Sequence, residues 1–258
     1  MWRKLRIAIL LFILAVAVYS NWYDRLSTTD WDETLWIGIF PVNADDGEVG
    51  ARYIASLSAQ DLADVEAFIN EEAHRYGVRI GRPVRVDLYP PVDEKPPQHD
   101  VDGSMLATMW WSLKVRLYAR RNSHPPGLPP PQIRIFVMFH DPNFTRSVPH
   151  SVGLQRGLVG VVHAYAELEM MPANNVVIAH EILHTLGATD KYDAATLAPL
   201  YPAGFAEPDL DPRFPQELTE IMAGRHSLDE QTFEMPASLD EVVVGTTTAR
   251  EIRWRRSE

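Results

Sequence analysis

The chain has 258 residues, of which 46% are hydrophobic and 23% charged, enough to bury the core of one large domain or two small ones. It has no cysteine, which excludes disulfides and thiolate metal sites, so any zinc must be held by histidines and carboxylates. The net charge is −11, and −14 once the three positive charges of Arg3, Lys4 and Arg6 are set aside; so acidic a body argues against nucleic acid as a partner.

Residues 1–23 read as a targeting segment. The basic start precedes an apolar run from Ile7 to Tyr19, short for a membrane span and right for the core of a signal peptide. Ala15-Val16-Ala17 resembles a cleavage site, while Trp22 and Tyr23 would suit the far interface of an uncleaved anchor. The segment is therefore a signal peptide or an N-terminal membrane anchor, with membrane association through residues 5–23. Either one exports the body, residues 24–258, leaving it periplasmic or extracytoplasmic, or anchored with its C-terminal domain outside.

Trp36 to Val42 reads as the first strand, followed by a loop over Asn43–Gly47. Ser58-Ala59-Gln60-Asp61 is a capping-box start, and Leu62, Val65, Ile69 and Tyr76 keep helical spacing, which predicts a helix over 59–76. Val84, Val86 and Leu88 alternate as a second strand, and Pro90 to Pro97 is a Pro-rich loop. Leu106, Met109, Trp110, Leu113 and Leu117 recur at i, i+3, i+4 and i+7, predicting a second helix that packs this stripe into the core. Pro125 to Pro131 is a stiff connector within one domain. Ile133 to His140 is a continuous apolar strand, Leu158 to Tyr165 another, and Asn174 or Asn175 is expected to cap the helix that follows. Residues 191–219, rich in proline, should be irregular; Asp209 and Asp211 there read as solvated acids. Thr248 to Glu251 is a second capping box, opening a short helix through Trp254. Strands alternating with helices predict an α/β (α+β) domain with a mostly parallel twisted sheet.

The chemistry concentrates in His180-Glu181-Ile182-Leu183-His184-Thr185-Leu186-Gly187-Ala188-Thr189-Asp190, an H-E-x-x-H-x-x-G-x-x-D pattern. Helix positions four apart lie one turn above the other, so His180 and His184 can point both imidazoles at one metal. Glu181 sits one step round, able to touch a water on that metal without ligating it. Gly187 can end the helix in the left-handed conformation, letting Asp190 swing back as a third ligand. Three protein ligands with a fourth position for water define a catalytic zinc site.

This stretch resembles the metzincin clan of zinc metallopeptidases, in the version, carried by snapalysin-type proteases, where Asp replaces the third His. Glu220-Ile221-Met222-Ala223-Gly224 resembles the clan's Met-turn, whose methionine, here Met222, lies beneath the metal. The motif resemblance spans about residues 174–226. It implies one zinc per chain on His180, His184 and Asp190, with Glu181 as general base. It also implies an antiparallel edge strand, around Gly157–Ala164, that binds the substrate backbone by strand addition. An upper part to about residue 187 and a smaller irregular lower subdomain over about 188–258 should flank the site. Tyr192 and His226 are the neighbours available to stabilise the oxyanion. In clan members with a catalytic Tyr just past the Met, that place corresponds to Gly224 here. His140, His150 and His163 show no ligand spacing and read as surface or core histidines.

The expected function is exported zinc metalloendopeptidase acting on a peptide or protein substrate. The rival is an exported zinc- or peptide-binding module with little turnover. Glu181 separates the two, because a pure binder has no need of a carboxylate there.

Overall fold

The computed structural model describes residues 29–98, 104–155 and 157–255, with Trp2 and Arg6; the targeting segment over residues 1–23 otherwise lies outside the described residues. The apolar run at the start of the body forms β1 (Leu35–Asn43), whose residues are buried on both faces. A strand enclosed in this way needs helices above and below it. It pairs in parallel with β2 (Val84–Leu88) on one side and β3 (Ile133–His140) on the other. The full sheet runs β2-β1-β3-β5-β4, with β4 at Val152–Leu154 and β5 at Val159–Tyr165. The protein is thus mixed α/β, with a mostly parallel five-stranded sheet.

One expectation about the sheet is corrected. The strand over 158–165 is not the antiparallel edge: β5 is internal and parallel to β3. The edge is β4, three residues running antiparallel to β5 with Gly153 opposite Gly160. Val-Gly-Leu is too short for a period-2 pattern to register, so the sequence gives no strand signal there.

Side chains alternate between two layers, as the pleat requires. Ile37, Ile39, Ile135, Val137 and Val162 face one core, shared with α1 (Glu48–Ser56), α2 (Ala63–Arg75) and α4 (Met171–Leu186). Phe40, Val42, Phe136, Met138, Val159 and Val161 face the other, covered by α3 (Met105–Asn122). The capping box at Ser58 forms as expected, with Ser58 N–H donating to Asp61 Oδ2 at 2.7 Å, and it opens a 3-10 turn that leads into α2. Helix α1 went unread in the sequence; it follows directly on the expected loop and buries Tyr53 against Phe139.

Helix α3 is present, but its orientation overturns the expected core stripe. Leu106, Met109, Trp110, Leu113 and Leu117 are 76%, 62%, 60%, 39% and 50% exposed. The buried face is Trp111, Val115, Tyr118 and Ala119. Two anchors choose that face: Trp111 Nε1 donates to Pro97 O at 2.8 Å and the Tyr118 hydroxyl to Glu94 O at 2.5 Å. The helix carries two apolar faces, and periodicity alone does not say which one meets the sheet.

Two helix starts also differ. Helix α4 begins at Met171 with Pro172 in its first turn, so Asn174 and Asn175 are interior. Asn174 instead accepts from Tyr165 N at 3.2 Å and donates to Tyr165 O at 2.9 Å, fastening α4 to the end of β5. Helix α5 (Thr246–Glu251) begins after Gly245, and Thr248 is inside it.

Beyond Leu186 the chain is largely irregular, as expected. Besides α5 and a 3-10 turn at Leu239–Glu241, its regular pieces among the described residues are a parallel pair, β6 (Thr219–Glu220) with β9 (Val242–Val243), and an antiparallel pair, β7 (His226–Ser227) with β8 (Phe233–Glu234). Ile221, Met222, Leu239, Val244, Ile252 and Trp254 complete the same core as α2 and α4, so upper and lower parts share one interior. Trp31 Nε1 donates to Ile252 O at 2.8 Å, joining the start of the body to its end. Among the described residues no helix is long and apolar enough to cross a membrane.

Candidate metal centre

Helix α4 is apolar on nearly every side, with Ile178, Ile182, Leu183 and Leu186 fully enclosed, and this packing fixes where its polar residues emerge. His180 and His184 lie one turn apart with ring centroids 4.7 Å from each other. His180 Nδ1 is 2.8 Å from Ile221 O, and His184 Nδ1 is 2.8 Å from Ala188 O. A carbonyl can only accept, so each Nδ1 carries a proton, and in the neutral ring each Nε2 presents a bare lone pair. Those two Nε2 atoms converge on one oxygen: Asp190 Oδ1 is 3.3 Å from His180 and 3.1 Å from His184.

Asp190 reaches this place by the route the glycine suggests. Gly187 has φ 108° and ends the helix in the left-handed region. The chain is then clamped on both sides of Asp190. Thr189 N–H and hydroxyl each donate to the Glu251 carboxylate at 2.9 Å. Lys191 N–H donates to Met222 O at 2.9 Å, and its buried ammonium reaches Glu251 Oε2 at 2.8 Å. Burial opposes charge on His180, but the bond to Asp190, the charge of Glu181 and the Ile221 carbonyl outweigh it and push its pKa up to about 9. Burial likewise opposes charge on Asp190, and the two histidines more than compensate, holding it below the usual carboxylate range.

Glu181 is 4% exposed, and its donor atoms lie within 4.8 Å of those of His180 and His184. Its Oε2 is buried with no hydrogen-bond partner. Burial raises its pKa, with His180 and His184 pulling the other way. The edge strand lies directly on this residue: a Cβ on Gly153 would stand 2.6 Å from Glu181 O and 2.5 Å from His184 Cβ.

The segment resembling a Met-turn runs beside the site. Its turn is closed by Ala223 and Gly224 N–H groups donating to Glu220 O at 3.0 and 3.1 Å, with Gly224 at φ 64°. Met222 is fully buried, and the preceding carbonyl is the one that orients His180. Beneath it the Glu220 carboxylate, 0% exposed, accepts from Ala223 N, Gly245 N and the Thr248 hydroxyl at 3.0, 3.0 and 2.6 Å. This anchor, and that of Glu251, went unread in the sequence. By sequence Glu251 reads as a capping residue of its own helix, whereas it accepts from Thr189 and Lys191.

Tyr192 stands beside Asp190. Burial raises its pKa first, followed by the charges of Asp190 and Glu181. His226, in the β7–β8 hairpin, is engaged elsewhere, with its ring bonded to Gln216 O. Among the described residues no hydrogen bond or ion pair links it to the centre.

A second histidine group emerges on the other face of the sheet. His140 Nε2 is 2.8 Å from His163 Nδ1, and Asp45 Oδ1 is 3.6 Å from His140 Nδ1. With Trp111, Lys95 and His150 they line a cleft of about 470 Å³. Burial lowers the pKa of both rings, with Asp45 opposing it at His140 and His140 reinforcing it at His163, which falls to about 4. Only the pairing of β3 with β5 brings them together, which linear spacing does not reveal.

No protein-family model matches this chain, and no curated protein matches it in sequence.

Proposed function

We propose that the chain is an exported zinc metalloendopeptidase of the metzincin kind, hydrolysing peptide bonds in a peptide or protein substrate. The observation that carries this reading is that Asp190 Oδ1 lies within 3.3 Å of both His180 Nε2 and His184 Nε2, with an unpartnered, buried Glu181 oxygen alongside. The donor set fits zinc: two imidazoles and a carboxylate, with both histidines oriented through Nδ1 by backbone carbonyls. An empty hydrogen-bond position on a buried carboxylate is costly unless a water or a substrate group fills it.

When bound, zinc supplies Lewis acidity that lowers the pKa of a water and polarises the scissile carbonyl. The chain's residues do the rest. Glu181 takes a proton from the attacking water and returns it to the leaving amine, a role its raised pKa suits. The outer edge of β4 offers backbone groups to an extended substrate, next to Glu181. Tyr192 is the nearer of the two proposed oxyanion donors.

Glu181→Gln tests the reading. Gln keeps the shape but accepts no proton at neutral pH, so zinc content should stay near one per chain while peptide hydrolysis falls by at least about 10². A folded, zinc-loaded variant cleaving at the wild-type rate would remove Glu181 from the mechanism. Equal inactivity of both forms on a broad peptide library would favour the binding-module alternative.

A further inference from the structure

The exposed apolar face of α3 is a feature that the proposed chemistry leaves unused. The helix already buries Trp111, Val115, Tyr118 and Ala119, so its second apolar face is not needed for folding. At 100° per residue, Leu106, Met109, Trp110, Leu113 and Leu117 fall within an arc of about 100°, a continuous stripe along the helix. Lys114 and Arg121 border it on one side and Arg116 on the other, while Arg120 lies on the stripe's own face at its C-terminal end. The helix has no Asp or Glu, in a chain whose net charge is −11. Lys114 Nζ lies 6.0 Å from the Trp110 ring centroid, placing a cation over the aromatic.

From this we propose that α3 docks the domain on an anionic membrane surface, apolar stripe inserted at the headgroup level and basic flanks against lipid phosphates. Interfacial helices have this make-up, with Trp and Leu on the buried face and Lys or Arg at its borders. The concentration of positive charge on one helix of an acidic protein selects an anionic partner surface. A second copy of the chain is disfavoured, because facing stripes would bring two basic borders together. This surface lies on a different stretch of sequence from residues 5–23, and it stands whether or not the metal centre hydrolyses peptides.

The absence of native cysteine makes a local test direct. The full chain would carry a single environment-sensitive fluorophore on Leu113→Cys or, as control, on the exposed Gln231→Cys. With vesicles containing phosphatidylglycerol, the label at 113 should shift to the blue and be quenched by lipids brominated just below the headgroup, while the label at 231 does neither. Neutral phosphatidylcholine vesicles should abolish the difference. At about fivefold per basic residue, Lys114→Glu with Arg121→Glu should weaken the response at least tenfold. A label at 113 that is already shifted without vesicles would show the stripe covered by another part of the chain or another copy, and would overturn the proposal. So would equal quenching at 113 and 231, or equal quenching on neutral and anionic lipid.

Discussion

Gly153→Ala probes the contact between the edge strand and the candidate site most directly. A methyl group there would sit 2.5 Å from His184 Cβ, 2.6 Å from Glu181 O and 3.1 Å from Glu181 Oε2. The first two neighbours are a helix carbonyl and the first side-chain carbon, neither of which can swing aside. Ordinary contact begins near 3.4 Å, so β4 and α4 must separate by about 1 Å. Helix α4 is packed on most of its surface, whereas β4 is three residues held by one neighbour, so the strand should move. Overpacking of this kind costs about 1–3 kcal/mol. For a domain of this size that is a fall in Tm of roughly 2–12 °C. Hydrolysis should suffer more than stability, because a 1 Å displacement at a reacting centre can cost about 10² in rate. Scanning calorimetry, zinc content and kcat/KM on one peptide would be measured on Gly153→Ala and on Gly81→Ala. The latter meets nothing within 4 Å and should stay within about 0.5 kcal/mol of the parent. Wild-type Tm and kcat/KM in Gly153→Ala would refute the claim that β4 lies on Glu181.

Glu251→Ala removes the clamp on Thr189 and Lys191, so zinc affinity, measured by competition with a chelator, should weaken about 10- to 100-fold. Glu220→Ala leaves the Gly245 N–H and the Thr248 hydroxyl without their acceptor, while Ala223 N–H keeps the Glu220 backbone carbonyl, and chemical denaturation should show a loss of at least about 2 kcal/mol. For the His140–His163 pair the unfolded rings bind more protons than the folded ones between pH 6.5 and about 4. Stability therefore rises with pH across that window and is lost as pH falls through it. His163→Asn should flatten this part of the Tm–pH curve, and a curve parallel to that of the parent would dismiss the half-buried neutral pair.

What could be read from the sequence divides along physical lines. The enclosed strands β1 and β3 announce themselves as continuous apolar runs, and Gly187 announces the turn toward Asp190, because each is dictated by residues adjacent in the chain. The edge strand does not, since its identity lies in pairing with β5 and in Gly153 having no side chain where α4 passes. The buried face of α3 is not legible because Trp111 and Tyr118 find backbone acceptors at Pro97 and Glu94, contacts that no periodicity contains. The meeting of His140 with His163 belongs to sheet register in the same way.

The lower part of the chain shows how the position of a single proposed ligand can depend on residues far along the sequence. Asp190 lies on an irregular loop, where a carboxylate would normally sample many positions. Here Glu251 binds the residues on either side of it from α5, while the Met222 carbonyl holds the next backbone amide. Glu220 in turn ties the turn bearing Met222 to Gly245 and Thr248 at the start of the same helix. The turn therefore orients His180 through Ile221 and Asp190 through Lys191 at once. Two buried or half-buried carboxylates, neither directed at the metal position, thus fix both the imidazole on the helix and the carboxylate on the loop. Loosening either should degrade the proposed ligand geometry before it unfolds the sheet, since the hydrogen bonds of neither carboxylate reach β1, β3 or β5.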